Sequence, residues 1–187
     1  MPRCITVFCA SSNDVPQVYH DAAAELGRAI ARNGWTLIYG GGSFGLMGVV
    51  SHAARQAGGS VVGIIPTRLL ELEKANEQCT ELIVVDDMRQ RKALLESRCE
   101  AFVTLPGGIG TLEEFFEMLV GRYLGFHDKP MILVNVNQFF DPLIQLLEHG
   151  IEQNFIKPRT RELLHVVETP DEAIAYLRAF PTTSRRL

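Results

Sequence analysis

Seven short apolar runs, at residues 5–9, 36–39, 61–65, 82–85, 101–105, 131–134 and 165–167, punctuate the chain. Each is strand-sized, and near-continuous hydrophobicity in place of strict alternation marks strands covered on both faces. Between them, segments 18–33, 45–57, 88–97, 111–124, 139–149 and 170–180 repeat their apolar residues at a helical spacing of about 3.6. Alternation of strand and helix predicts an α/β fold with a mainly parallel β-sheet flanked by helices. Right-handed crossovers then bring the C-terminal ends of the strands to one edge, where loops meet ligands.

Residues 66–80 break the pattern. Their periodicity is weak and charge interrupts it, so they are expected to form an irregular excursion and a candidate lid. The reading is a single domain over residues 1–180, followed by a polar tail, 181–187, expected to fray.

Composition narrows the partners. The chain has 187 residues, 47% of them hydrophobic, enough for one substantial core, and its formal net charge is −4. Without a Lys/Arg block, neither nucleic acid nor an anionic membrane is the expected partner, which leaves small ligands. The first residues lack the apolar region of a signal peptide, so a cytoplasmic location is expected. Cys4, Cys9, Cys79 and Cys99 form no C-x-x-C pair and have no His at ligand spacing, so neither zinc nor another metal is expected.

Chemistry concentrates where strands end. Ser11 and Ser12 follow the first strand, small hydroxyls able to meet a phosphate or sugar, or simply a polar turn. After the second strand comes Gly40-Gly41-Gly42-Ser43-Phe44-Gly45-Leu46-Met47-Gly48. This loop contains G-x-G-x-x-G, but at the wrong strand and with no ribose-binding acid after the next one, which argues against NAD. Its glycines still permit close backbone approach, so its amides are expected to wrap a nucleotide.

The most informative loop is Pro106-Gly107-Gly108-Ile109-Gly110-Thr111-Leu112-Glu113-Glu114. A helix opening there aims unpaired N–H groups at an anion, and with no Gly-Lys-[Ser/Thr] a monophosphate suits it better than ATP. Thr111 and Glu114 also have capping-box spacing, an equally open structural reading. If phosphate takes the amides instead, Glu114 is free to face the ligand and Glu113, about 100° around the helix, faces the surface or packing. Upstream, Met88-Arg89-Gln90-Arg91-Lys92 places cations at a helix start, where they oppose the macrodipole. Either an anionic ligand or pairing with Asp86 and Asp87 would account for them.

Together these elements, Cys9-x-Ser11-Ser12, the Gly40 to Gly48 loop, Met88-x-x-Arg91-Lys92 and Pro-Gly-Gly-x-Gly-Thr-x-x-Glu from Pro106 to Glu114, resemble the LOG ("lonely guy") family over essentially the whole chain. Its members are cytokinin riboside 5′-monophosphate phosphoribohydrolases that often carry the label "possible lysine decarboxylase". The resemblance implies a Rossmann-like three-layer fold, a homodimer with sites near the interface, and no cofactor. The implied substrate is a nucleoside 5′-monophosphate, either a cytokinin riboside 5′-monophosphate or AMP, hydrolysed to free base and ribose 5-phosphate. The family's catalytic pair falls on Arg91 and Glu114. Its substrate contacts fall on Ser11, Gly42, Glu73, Met88, Arg91, Lys92, Gly107, Gly108, Ile109, Gly110, Thr111, Leu112 and Glu113.

Chemically, a glutamate beside the sugar stabilises oxocarbenium character and can activate water. An arginine cannot favourably approach that cation, so Arg91 fixes the phosphate or the glutamate, or assists the leaving base. The family commonly has His at the position of Arg89, a departure that bears on base preference. The competing reading is a non-catalytic nucleotide or molybdenum-cofactor carrier, against which the retained Arg91 and Glu114 speak. A PLP decarboxylase would need a Schiff-base lysine, and only Lys74, Lys92, Lys129 and Lys157 are present.

Overall fold

The computed structural model describes residues 3–70 and 72–180. All seven expected strands form one parallel sheet: β1 (Cys4–Phe8), β2 (Thr36–Tyr39), β3 (Ser60–Pro66), β4 (Glu81–Val85), β5 (Ala101–Thr104), β6 (Met131–Val134) and β7 (His165–Val167), in the order β4-β3-β2-β1-β5-β6-β7. The six expected helices are α1 (Gln17–Arg32), α2 (Gly45–Gln56), α3 (Met88–Ser97), α4 (Ile109–Leu124), α5 (Asp141–Glu152) and α6 (Pro170–Ala179). The expected tail, 181–187, lies outside the described residues.

Both sheet faces are buried, as continuous apolar strands require. On one face Ile5, Val7, Tyr39 and Val103 pack with Leu26 and Ile30 of α1, Val50 of α2 and Leu177 of α6. On the other, Phe8, Ile64 and Phe102 pack with Leu95 of α3, Phe115 and Leu119 of α4 and Phe140. Alternate residues of each strand serve opposite layers, giving a helix–sheet–helix sandwich. Each fully buried Leu, Ile or Phe contributes about 1.5–3 kcal/mol of transfer free energy. One polar residue inside this sheet, Thr6, is satisfied: its hydroxyl donates to the Leu95 carbonyl at 2.8 Å.

β1 pairs with β2 on one side and β5 on the other, in register through Thr6 with Ile38 and Phe102. From β1 the chain winds outward to β4, then crosses back to β5 and winds the other way. Loops leaving β1 and β5 therefore diverge to opposite faces, opening a crevice at the topological switch point. One hydrogen bond holds its floor together, from the Ala10 amide to the Pro106 carbonyl at 3.2 Å.

The segment after β3 is the irregular excursion expected: one 3-10 turn, Thr67–Leu69, then turns up to β4. It folds back onto the Gly40 loop, with an antiparallel bridge between Gly42 and Ala75.

Candidate active site

A cleft of about 250 Å³ lies at the switch point, walled by the loops after β1 and β5, the N-terminal turns of α3 and α4, and the excursion. Ten residues expected at the site line it: Ser11, Glu73, Met88, Arg91, Gly108, Ile109, Gly110, Thr111, Glu113 and Glu114. Cys9, Met47 and Leu69 line it too. Leu69 escaped sequence reading because nothing in a weakly periodic segment shows which apolar residue turns inward.

Helix α4 begins earlier than its capping-box spacing predicts. Gly108 is the N-cap, with no side-chain cap, and Thr111 sits inside the first turn, so Thr111 and Glu114 form no capping box. That motif occurs instead at the start of α6, between Thr169 and Glu172. The early start leaves the N–H groups of Ile109, Gly110 and Thr111 without intrahelical acceptors and turned to the cleft. Side chains added at Gly108 or Gly110 would meet no protein atom within 4 Å, so the approach to these amides is open. Gly107 faces inward instead, where a Cβ would fall 2.2 Å from the Thr111 hydroxyl. Leu112 is turned into the core beside Phe115. Neither lines the cleft.

Four amides of the Gly40 loop are not free to form a cradle. The amides of Ser43, Gly45, Met47 and Gly48 are already bonded to the carbonyls of Glu73 and Lys74, the Asn13 side chain, and the carbonyls of Ala10 and Phe44. Its glycines serve close packing instead. A Cβ at Gly40 would lie 2.1 Å from a guanidinium nitrogen of Arg91, and Gly45, at φ +57°, leaves 2.4 Å between such a Cβ and the Ser12 carbonyl. Gly42 packs on Met47 and Glu73 and does not line the cleft.

Arg91 is only 5% exposed. Its Nε donates to the Ile64 carbonyl at 3.1 Å and one terminal nitrogen to the Gly40 carbonyl at 2.9 Å, pinning the guanidinium across the ends of β2 and β3. Carboxylate oxygens of Glu73 and Glu114 lie 3.8 and 3.9 Å from its terminal nitrogens. These are ion pairs at longer than hydrogen-bond distance. Lys92, one residue on, leaves the cleft and pairs with Glu113 at 2.5 Å and with Glu117. Asp86 and Asp87 pair with neither cation; Asp87 caps α3 by accepting from the Gln90 amide at 2.9 Å.

Burial dominates the electrostatics. It raises the Glu114 pKa from 4.5 to about 7, with Arg91 pulling the other way and Glu113 and Glu73 adding to the rise. Burial raises Glu73 as well, opposed by Arg91, and its buried Oε2 accepts no hydrogen bond. The Cys9 thiol is pushed up by burial and by Glu114, which keeps it a neutral wall of the cleft.

This is a Rossmann-like α/β protein whose switch-point cleft joins an open helix N-terminus to a buried arginine and two acids. Residues 47–177 match the family described as "Possible lysine decarboxylase". A cytokinin riboside 5′-monophosphate phosphoribohydrolase of Rhodococcoides fascians is 45% identical, covering 95% of this chain and 90% of that one. The corresponding LOG3 enzyme of Arabidopsis thaliana is 40% identical, covering 99% of this chain and 86% of that one. The chain thus belongs to the LOG family.

Among solved structures, the molybdenum cofactor binding protein of Rippkaea orientalis superimposes with TM-score 0.74 at 23% identity, over 96% of this chain and 97% of that one. The molybdenum cofactor carrier protein of Chlamydomonas reinhardtii gives 0.73 at 24%, over 96% and 98%. Those likenesses establish the fold.

The decarboxylase label implies PLP, and the lysines do not fit it. The Lys92 amine is held by two glutamates, Lys129 donates to the Glu96 carbonyl beneath the sheet, and Lys157 is exposed elsewhere. Lys74 lines a separate groove on the far side of the excursion. Among the described residues no lysine lines the cleft, and no helix is long and apolar enough to cross a membrane.

Proposed function

We propose that this protein hydrolyses the N-glycosidic bond of a cytokinin riboside 5′-monophosphate or AMP, releasing the free base and ribose 5-phosphate. The observation that carries the reading is Glu114: a buried carboxyl with pKa near 7, one helical turn from open N–H groups suited to a phosphate.

The substrate phosphate rests on the Gly108 to Thr111 amides, which places the ribose over Glu114 and the base toward Met88, Met47 and Leu69. As the C1′–N bond breaks, its electrons leave with the base and positive charge grows on the sugar. Ionised Glu114 stabilises that charge and takes a proton from the attacking water. Water oxygen bonds to C1′, the leaving nitrogen takes a proton from solvent, and Glu114 returns the one it accepted, so the net reaction adds one water. Arg91 is committed to two backbone carbonyls, so its part is to hold Glu114 and Glu73 in place. Lys92, spent on Glu113 and Glu117, adds a positive field at the helix start and no direct phosphate contact. Glu73 offers its unfilled Oε2 to a hydroxyl or amine of the nucleoside.

The active unit in this reading is a cytoplasmic homodimer. Val120 and Leu124 are exposed on α4 and Phe126, just beyond it, is 78% exposed, an apolar face that a two-fold copy would bury.

Chromatography of purified protein incubated with AMP and with isopentenyl-AMP tests the activity. Free base should appear with at least one of them, and Glu114→Gln should remove it. Tight nucleotide binding without base release would favour a carrier instead, and undiminished release by the variant would overturn the role of Glu114.

A further inference from the structure

We propose that Asn76 is a positioning residue for the reaction: a latch that fastens the excursion so that Glu73 is held against Arg91. The inference rests on the hydrolase reading and extends it to a residue that does not line the cleft.

Apart from Glu73 and Leu69, the excursion has little hold on the cleft, and Leu72, Lys74, Glu77 and Gln78 are exposed. A chain so exposed would not keep Glu73 in register by packing. Asn76 supplies what packing does not. Its side-chain amide donates to the Tyr39 hydroxyl on β2 and to the Ser51 hydroxyl on α2, both at 3.0 Å. Both acceptors are fully buried. Ser51 is itself fixed, donating to the Gly48 carbonyl at 3.0 Å, and Tyr39 contacts the Cys79 sulfur at 3.5 Å. The Asn76 side-chain oxygen accepts from the Gln78 amide at 3.0 Å, so each polar end of the side chain is engaged.

The backbone carries this grip to the cleft. The Asn76 amide donates to the Gly41 carbonyl at 2.9 Å. Three residues earlier, the Ser43 amide is shared between the carbonyls of Glu73 and Lys74, at 3.1 and 2.9 Å. Lys74 between them has φ +46°, a conformation unusual for lysine that persists only where its surroundings impose it. The same glycine loop that makes room for Arg91 therefore holds the turn bearing Glu73, with Asn76 as the side-chain anchor.

The test is a double-mutant cycle with Glu73. Asn76→Ala should raise KM for the preferred nucleotide about tenfold, the scale of one or two hydrogen bonds, with kcat changed less than threefold. Glu73→Gln should do the same, and the double variant should exceed Glu73→Gln by less than twofold, because the latch acts through that glutamate. Tyr39→Phe and Ser51→Ala, each removing one acceptor, should move KM in the same direction by less. Amide hydrogen exchange gives a readout that needs no substrate: Asn76→Ala should speed exchange at Ser43 and at position 76 and leave α3 unchanged. Multiplicative KM effects in the double variant, or unchanged exchange at Ser43, would overturn the latch. A wild-type protein inert toward every nucleotide would overturn the hydrolase reading, while the exchange data would still decide the latch.

Discussion

Replacing Glu114 with Gln should stabilise the protein at alkaline pH and leave it nearly unchanged in acid. In the unfolded chain the carboxyl loses its proton through 4.5, and in the folded protein it keeps it until about 7. Between those values the folded state binds more protons, so stability falls as pH rises, and above 7 the cost is fully present. The gap corresponds to about 3 kcal/mol, a large share of the 5–15 kcal/mol typical of a domain. Below pH 5 the protonated glutamate and glutamine are nearly isosteric and equally neutral. Urea unfolding of both proteins at pH 5 and 8.5 isolates the effect, because Glu73, raised in the same direction, contributes to both backgrounds. The variant should gain about 3 kcal/mol at pH 8.5 and under about 1 kcal/mol at pH 5, or roughly 6–12 °C in Tm at the higher pH. Equal stability at pH 8.5 would mean that Arg91 or water already compensates the buried charge, and the argument for a proton-poised Glu114 would fail.

The same pKa predicts the activity profile: kcat/KM should fall on the acid side of about pH 7 as Glu114 takes up its proton, and a limb near 4.5 would place the working carboxylate elsewhere. Gly40→Ala sets a methyl 2.1 Å from the Arg91 guanidinium. It should cost about 1–3 kcal/mol of stability by overpacking and reduce turnover at least a hundredfold, measured by melting and base release; a fully active variant would show that Arg91 need not sit where it does. Val120→Glu, on the exposed face of α4, should convert a dimer to a folded monomer in light scattering, and an intact dimer would move the interface to another face.

The fold was largely legible because both-face burial writes strands as continuous apolar runs, and every run became a strand within a residue or two. The order of strands was not legible: no pattern in Ile5 to Phe8 tells which neighbours will flank it. At the site, Arg91 could be found because it breaks a local rule, a cation at a helix start, and Glu114 because it follows a glycine-rich loop whose open amides suit an anion. The five glycines from Gly40 to Gly48 announced tight space, and a sequence does not say who fills it. Here Arg91 and the Ser11–Ser12 backbone fill part of it. The partners of Lys92 were not legible either. Its charge was evident, but Glu113 and Glu117, one turn apart on a helix from the other side of β5, were its partners. Glu73 was reached only through family resemblance, because its segment is tied to the fold by hydrogen bonds to residues 25 to 37 positions away.

One arginine between two largely buried acids explains why Glu114 is poised near neutrality. Arg91 has spent Nε and one terminal nitrogen on carbonyls, so it can neither swing to form a close bidentate pair nor leave. Glu73 and Glu114, at 3.8 and 3.9 Å, each receive attraction from the one charge and repulsion from the other acid. A tight bidentate pair would hold Glu114 well below its usual range, a firmly ionised group but a weak base. Burial with no arginine would keep it protonated and inert at neutral pH. The shared, backbone-fixed guanidinium produces the intermediate case, in which Glu114 is ionised in much of the population and still basic enough to take a proton from water. The glycine at position 40 is what lets the guanidinium sit that far back, so the geometry of one turn helps set the proton affinity of a carboxyl on a helix far along the chain.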